Sequence, residues 1–246
     1  MGIKNYPNSL YKETVPAIDR TMAKRDPISS AFSQDVTATA LDREITANSD
    51  WQVDSISFIF SNAVARDYSV KVKNGRKVVA NYNNYLWIEA QNYMAEKITL
   101  SPGFYNGTDL ATQLQTKLNA NSVFSGASIT FTVTYTASTG LFAITGSTPI
   151  KYLNANKSRD FMDSGSIAGH LFGFNVTDTA YALTTSSDTA VFGLNTEASI
   201  INQVASTATD HFHDDKHLLS IDQALHLESS VAALTIDYTV VYEEVV

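Results

Sequence analysis

Ile98-Thr99-Leu100-Ser101-Pro102-Gly103-Phe104-Tyr105-Asn106-Gly107-Thr108 leads straight into a helical pattern. Leu110, Leu114 and Leu118 recur every four residues, which lays one apolar stripe along a helix. Thr108 suits the N-cap, Asp109 brings negative charge to the first turn, and Asn119 and Asn121 can end the helix. The period then changes. Ile129-Thr130-Phe131-Thr132-Val133-Thr134-Tyr135 alternates apolar and polar residues, as a half-buried strand does. Ala137-Ser138-Thr139-Gly140 predicts a turn and Leu141-Phe142-Ala143-Ile144-Thr145 the returning strand. The segment closes on Ser166-Ile167-Ala168-Gly169-His170-Leu171-Phe172-Gly173-Phe174. One short helix held between strands, ending on a compact aromatic turn, is scaffold rather than chemistry.

Outward from this segment the strand pattern continues both ways. Trp51–Phe60 and Asp67–Lys73 alternate, and Tyr85–Ala90 is a further strand rich in aromatics. Asn74-Gly75 is the strongest short hairpin signal, with Arg76–Ala80 returning from it. Lys71, Lys73, Arg76 and Lys77 crowd that turn and read as a solvated, protected edge. Downstream, Ala190–Leu194 and Ser199–Val204 are apolar islands in a Thr/Ser-rich passage. Ala232–Tyr242 is apolar enough to be a core strand near the middle of a sheet. No βαβ alternation appears, which argues against a parallel α/β sheet. The expected fold is mainly β: an antiparallel two-sheet sandwich, jelly-roll-like, over residues 51–246, with one short α-helix near 108–119.

The order of features in residues 98–174 is a Thr-Leu-Ser-Pro-Gly-Phe-Tyr lead-in, leucines every four residues ending in Leu118-Asn119, a strand hairpin, then small residues running into Leu171-Phe172-Gly173-Phe174. It resembles a segment of viral structural proteins: penton and minor capsid proteins of double-stranded DNA viruses, and some virion proteins of tailed phages. The resemblance implies a virion subunit, a penton, minor capsid or head-decoration protein. Such a subunit assembles with copies of itself and with other virion proteins.

Composition agrees. The 246 residues are 44% hydrophobic but only 17% charged, below the usual quarter for soluble domains. The formal net charge of -8 argues against general nucleic-acid binding by the folded body. Cysteine is absent, which excludes disulfides and cysteine-based zinc sites and suits synthesis in a host cytoplasm. Met1–Pro7 lacks the apolar stretch of a signal peptide, and no run reaches the length of a membrane span.

Residues 1 to about 50 stand apart from this body as an expected extended arm. They hold Pro7, Pro16 and Pro27, three of the five prolines. Lys4, Lys12, Arg20, Lys24 and Arg25 outnumber Glu13 and Asp19 in the first 25 residues, leaving 12 Lys and Arg against 23 Asp and Glu in residues 26–246. Tyr6, Leu10, Tyr11, Val15, Ile18 and Phe32 are too sparse for a core but suit pockets on a partner. The arm is also the one part whose charge would suit nucleic acid.

One cluster invites chemistry. His211-Phe212-His213-Asp214-Asp215-Lys216-His217 would place His211, His213 and Asp215 on one face of a strand, a spacing that could hold a transition metal. Lys216 and the lack of residues patterned to orient metal-binding imidazoles favour a plain polar segment, so no cofactor or metal of function is expected. His170 reads as a packed or capping side chain, and His226 as the outward face of a strand. No phosphate loop or nucleophile elbow occurs, and Glu243-Glu244 point to opposite faces of a strand. An enzyme is not expected. The alternative is a tail, fibre or adhesin module that binds a host glycan, with Tyr82, Tyr85, Trp87 and Tyr93 as its aromatics. Against a fibre stands the lack of any internal repeat.

Overall fold

The structure is a computed structural model, and it describes residues 28–36, 42–46, 50–60, 65–154, 165–174, 177–206, 210–213, 216–220, 222–230 and 234–244. In chain order the strands begin with β1 (Ile28–Val36), β2 (Asp42–Thr46), β3 (Trp51–Phe60), β4 (Arg66–Asn74), β5 (Arg76–Val78), β6 (Tyr85–Ala90), β7 (Ala95–Thr99) and β8 (Gly103–Tyr105). Helices α1 (Gly107–Ala120) and α2 (Ser122–Gly126) follow, then β9 (Phe131–Thr136), β10 (Leu141–Leu153) and the one-turn α3 (Gly169–Phe172). The chain ends with β11 (Ala182–Ser186), β12 (Glu197–Ser206), β13 (Asp210–His213), β14 (His217–Leu219), β15 (Gln223–Ser229) and β16 (Leu234–Glu244). These form two compact units. The first holds the described parts of Met1–Val72, Ser199–Ile221 and Leu225–Val246; the second is Lys73–Ala198 with Asp222–Ala224.

The first unit is a jelly roll. One sheet runs β1-β16-β3-β13, with β14 also on β3; the other runs β12-β4-β15-β2. Counting β13 and β14 as one strand leaves eight, paired first with eighth, second with seventh, third with sixth and fourth with fifth. That is a single long hairpin rolled into a two-sheet sandwich. β16 lies between β1 and β3, in antiparallel register from Ile28↔Tyr242 to Val36↔Leu234 on one side and from Phe60↔Ile236 to Trp51↔Glu244 on the other. This is the mid-sheet place expected for it. Trp51, Val53, Ile56, Phe58, Tyr68, Val70, Ile201, Leu219, Leu225, Leu227 and Val240 fill the space between the sheets. The alternation of Trp51, Val53, Ile56 and Phe58 against polar neighbours reflects one buried face, with a register shift where β16 passes Val241 and Tyr242.

The boundary at residue 50 is therefore displaced. β1 and β2 are strands of the sandwich, and Phe32 stands opposite Tyr238 in β1. Alternation in Ile28–Val36 is masked by serines and a single apolar position every few residues, so its pairing is fixed by β16 rather than by its own pattern. Tyr6, Leu10, Tyr11, Val15 and Ile18 lie outside the described residues.

The second unit occupies the chain between the fourth and fifth strands of the roll. Its centre is β10, which pairs with β9 along its first half and with β6 along its second. β11 runs along the other side of β10, and β7 lies beyond β6. The helix expected near 108–119 is α1, and its buried Leu110, Ala111, Leu114 and Leu118 form the expected stripe. The stripe packs into the core of this unit's own sheet, beside β9 and β7. The cap also differs from expectation. Asn106 Oδ1 accepts from Asp109 N at 2.8 Å, because Thr108 is already taken by Asn195, which accepts from Thr108 N at 3.1 Å and donates to Thr108 Oγ1 at 2.8 Å. Asn121 ends α1 as expected, and its side chain accepts from Val123 N and Phe124 N to start α2.

The closing aromatic turn completes this core. Phe172 meets Phe142 edge-on at 5.1 Å between ring centroids, and Phe174 stacks on Tyr152 at 4.6 Å. Gly173 makes the reversal between them at φ 74, and a Cβ there would lie 2.0 Å from Thr189 O.

Candidate functional site

The histidine segment lies on the sandwich. In β13, His213 stands opposite Ile56 and His211 opposite Phe58 on β3. Ile56 and Phe58 are core residues, and directly opposed residues share a face. His213 accordingly reaches inward, with Nε2 3.3 Å from the Tyr68 hydroxyl of the facing sheet. Their rings meet edge-on at 6.2 Å. Burial raises the Tyr68 hydroxyl above its ordinary pKa. His213 is thus part of a polar tie across the core rather than a ligand on an open face. His217 belongs to a separate short strand, opposite Val53, while Lys216 Nζ is 3.5 Å from Asp54 Oδ1. The side chain of His211 and all of Asp215 lie outside what is described. Among the described residues no group of three His, Asp or Glu is arranged to hold a metal.

A second polar group was not foreseen. The alternation Leu225-His226-Leu227-Glu228 implied an outward His226, yet the residue is 5% exposed. Both faces of β15 are buried from Ala224 to Leu227, so period two gave the strand correctly and the exposure wrongly. His226 Nδ1 is 3.3 Å from Glu228 Oε1, and Glu228 Oε2 is 2.7 Å from Lys71 Nζ. Ser69 Oγ donates to the same oxygen at 3.2 Å. The Lys71 hydrogen bond is the main cause that holds the Glu228 carboxyl below its ordinary range, with the His226 charge adding to it against a desolvation that opposes both. This is an ion cluster linking β4 to β15. His170 is exposed at the end of α3 rather than packed.

The four candidate glycan aromatics separate. Tyr85 and Trp87 share one face of β6, where Lys97 Nζ lies 4.0 Å from the Tyr85 ring centroid and 5.8 Å from that of Trp87. Trp87 is buried with Ala95 and Leu153. Tyr82 is 75% exposed in the turn before β6, and Tyr93 is exposed in the turn after it. Six strand residues, roughly 20 Å, stand between those turns, so the two exposed rings do not form one platform.

An open groove of about 390 Å³ runs beside α1, lined by Phe104, Tyr105, Asp109, Thr112, Gln113 and Thr116. Gln113 Nε2 donates to the Tyr105 hydroxyl at 3.2 Å, which donates to Ser101 O at 3.1 Å. Asp109 is its single acid, so it holds no acid–base pair. Among the described residues no helix is long and apolar enough to cross a membrane.

These features define a jelly-roll protein with a helix-and-sheet unit inserted in its fourth connection, whose polar clusters tie strands together. No protein family matches the chain, and no curated protein matches it. Among solved structures it is similar to the crystal structure of the mavirus penton protein, at 9% identity and a TM-score of 0.27, over 89% of this chain and 99% of that one. Nothing about residues or partners is carried across at that level of likeness.

Proposed function

We propose that the chain is a non-enzymatic structural subunit of a virus particle, of the penton, minor capsid or head-decoration kind. The observation that carries this reading is the strand pairing of the first unit, first with eighth through fourth with fifth, the jelly roll used by viral capsids. Lectins and cupins share that sandwich, and the resemblance of residues 98–174 to virion proteins is what favours the capsid among them. Its partners are copies of itself and other virion proteins, and its place is the virion.

In this reading the residues ahead of β1 contact neighbouring subunits. Residues 1–27 carry five Lys and Arg against Glu13, Asp19 and Asp26, on a chain of net charge -8, so acidic neighbours attract them. The test is electron microscopy and native mass spectrometry of the expressed chain, with mass spectrometry of particles purified from its source. Closed oligomers, and the chain as a stoichiometric particle component, are the expected results. Deleting residues 2–27 should abolish incorporation and leave strand content unchanged. A chain absent from particles refutes the reading. The glycan-binding alternative finds less support, since Tyr82 and Tyr93 lie at opposite ends of β6 and Trp87 is buried. Saturable glycan binding lost on Tyr82→Ala would favour it instead.

A further inference from the structure

The open groove of about 390 Å³ beside α1 lies wholly within the second unit, and it falls in the size range of small-ligand sites. Asp109, Thr112, Gln113 and Thr116 stand at i, i+3, i+4 and i+7 of α1, so they form one helix face about 10 Å long. Phe104 and Tyr105 of β8 form the other wall.

This lining is held in place before any ligand arrives. The Phe104 ring lies against Gly75, where a Cβ would sit 2.6 Å from a ring carbon. The Tyr105 hydroxyl is fixed from two sides, by Gln113 Nε2 at 3.2 Å and Ser101 O at 3.1 Å. Thr112 Oγ1 donates to Thr108 O at 3.0 Å, and Thr116 Oγ1 donates to Thr112 O at 2.9 Å. Most donors are therefore used within the walls, while acceptors remain. Among the described residues neither the Asp109 carboxylate nor Gln113 Oε1 has a hydrogen-bond partner. Each threonine hydroxyl oxygen keeps lone pairs to accept with.

We infer that this groove binds a neutral saccharide, with a pyranose ring against Phe104 and Tyr105 and its hydroxyls donating to Asp109 and Gln113. The class follows from what the lining offers. No cation lines the groove, and Asp109 repels anions. An apolar ligand would strip water from the carboxylate and the amide without replacing their hydrogen bonds. A lysine or arginine side chain would satisfy Asp109 alone, and a single exposed ion pair contributes little. A sugar meets both walls at once. Its hydroxyls donate in several directions, and its C–H face, with partial positive charge, lies on the negative face of an aromatic ring. Walls already fixed by their own hydrogen bonds lose little freedom when it binds. The groove does not involve Tyr82 or Tyr93. A saccharide site on this unit goes beyond the assembly reading, and either can stand without the other.

The test titrates the full chain with lactose, maltotriose and chitotriose up to about 20 mM, following backbone amide shifts by NMR. At least one sugar should bind saturably with a Kd on the order of 1 mM, and the shifts should concentrate in residues 104–116. Asp109→Ala and Gln113→Ala, each to a strong helix former, should both weaken binding about tenfold with circular dichroism unchanged. Tyr82→Ala should bind like wild type. Failure of all three sugars to saturate overturns the inference, as do shifts centred elsewhere in wild type or binding that both groove variants retain. A synthetic peptide of residues 1–27 that binds here in preference to the sugars, and is lost on Asp109→Ala, also overturns it and makes the groove an assembly contact. A chain that binds sugar in the groove but is missing from particles supports the inference and refutes the assembly reading alone.

Discussion

Leu114→Ala tests what α1 is for. Leu114 has no solvent exposure and lies between Leu110 and Leu118 on the face that enters the core of the second unit. Truncation removes three carbons, worth about 0.8 kcal/mol each in transfer. A cavity term adds to that, because Phe131, Val133 and Ile98 of the same core sit on strands fixed by their ladders. The expected loss is about 3–4 kcal/mol. The second unit has roughly 130 residues, and an unfolding entropy of about 2.1 cal/mol/K per residue gives roughly 0.27 kcal/mol/K. The melting temperature should therefore fall by about 11–15 °C. The chain's two tryptophans allow a local reading, since Trp51 is in the core of the first unit and Trp87 is buried in the second. In a Trp51→Phe background, fluorescence reports Trp87 alone, and in Trp87→Phe it reports Trp51. The Trp87 transition should show the full displacement. Val123→Ala, at a partly exposed position on α2, should stay within about 0.5 kcal/mol. A Trp87 transition displaced by less than about 3 °C, or a loss felt by Trp51 alone, refutes the packing argument.

Three further outcomes are expected. Asn119→Ala removes both amide bonds to Phe131, at about 0.5–1.5 kcal/mol each, and regains under about 0.7 kcal/mol in helix propensity; urea melts followed at Trp87 should show a net loss of about 1–2 kcal/mol, and no loss would mean that Asn119 does not hold β9 to α1. Tyr68→Phe should cost the first unit about 0.5–1.5 kcal/mol by breaking the tie to His213, and unchanged stability read at Trp51 would show the tie to be idle. Glu228 titrates lower when folded than its ordinary value of 4.5, so its stabilising effect is complete above about pH 4.5 and lost as pH falls below it through the folded value. Glu228→Gln should flatten the pH dependence of Trp51 unfolding between about pH 6 and pH 3; an unaltered slope would mean that the Lys71 pair does not drive it.

Much of the fold was legible where one face of an element is buried and the other wet. The leucines of α1 at spacing four and the alternation of Phe131–Tyr135 both show this. β1 was not legible, since Ile28–Val36 draws its order from nine residues of β16 about two hundred positions away. Exposure on β15 failed for a related reason. Alternation reports which side a residue faces, and says nothing of a strand covered on both sides, so His226 read as outward while lying buried beside Glu228. The histidine cluster shows the reverse case. Its spacing permits a metal face, but the chemistry depends on what stands opposite in the sheet, and Ile56 and Tyr68 are visible only after folding.

Asn74-Gly75 carries the sharpest lesson about local signals. The pair predicts a two-residue hairpin, yet β4 lies between β12 and β15, and β5 pairs instead with β8. Gly75 is needed for proximity, not for a left-handed φ: a Cβ there would sit 2.5 Å from Tyr105 O and 2.6 Å from a Phe104 ring carbon. At this point the chain leaves the rolled hairpin, and it comes back next to where it left. Asn74 N donates to Thr196 O at 3.0 Å and Asn74 Nδ2 to Thr196 Oγ1 at 2.7 Å. Gly75 N donates to Asp222 O at 2.9 Å, Arg76 pairs with the Asp222 carboxylate, and Gln223 Nε2 donates to Asn74 Oδ1 at 2.8 Å. Because the two ends of the insert are bonded to each other, the fourth and fifth strands of the roll can pair as though a short turn joined them. Loop-closure entropy grows only with the logarithm of length, about 0.6 kcal/mol per doubling, so a long insert with its own core costs the sandwich little. This is why residues 98–174 can be read as a self-contained scaffold while the jelly roll that carries them is written in the segments on either side.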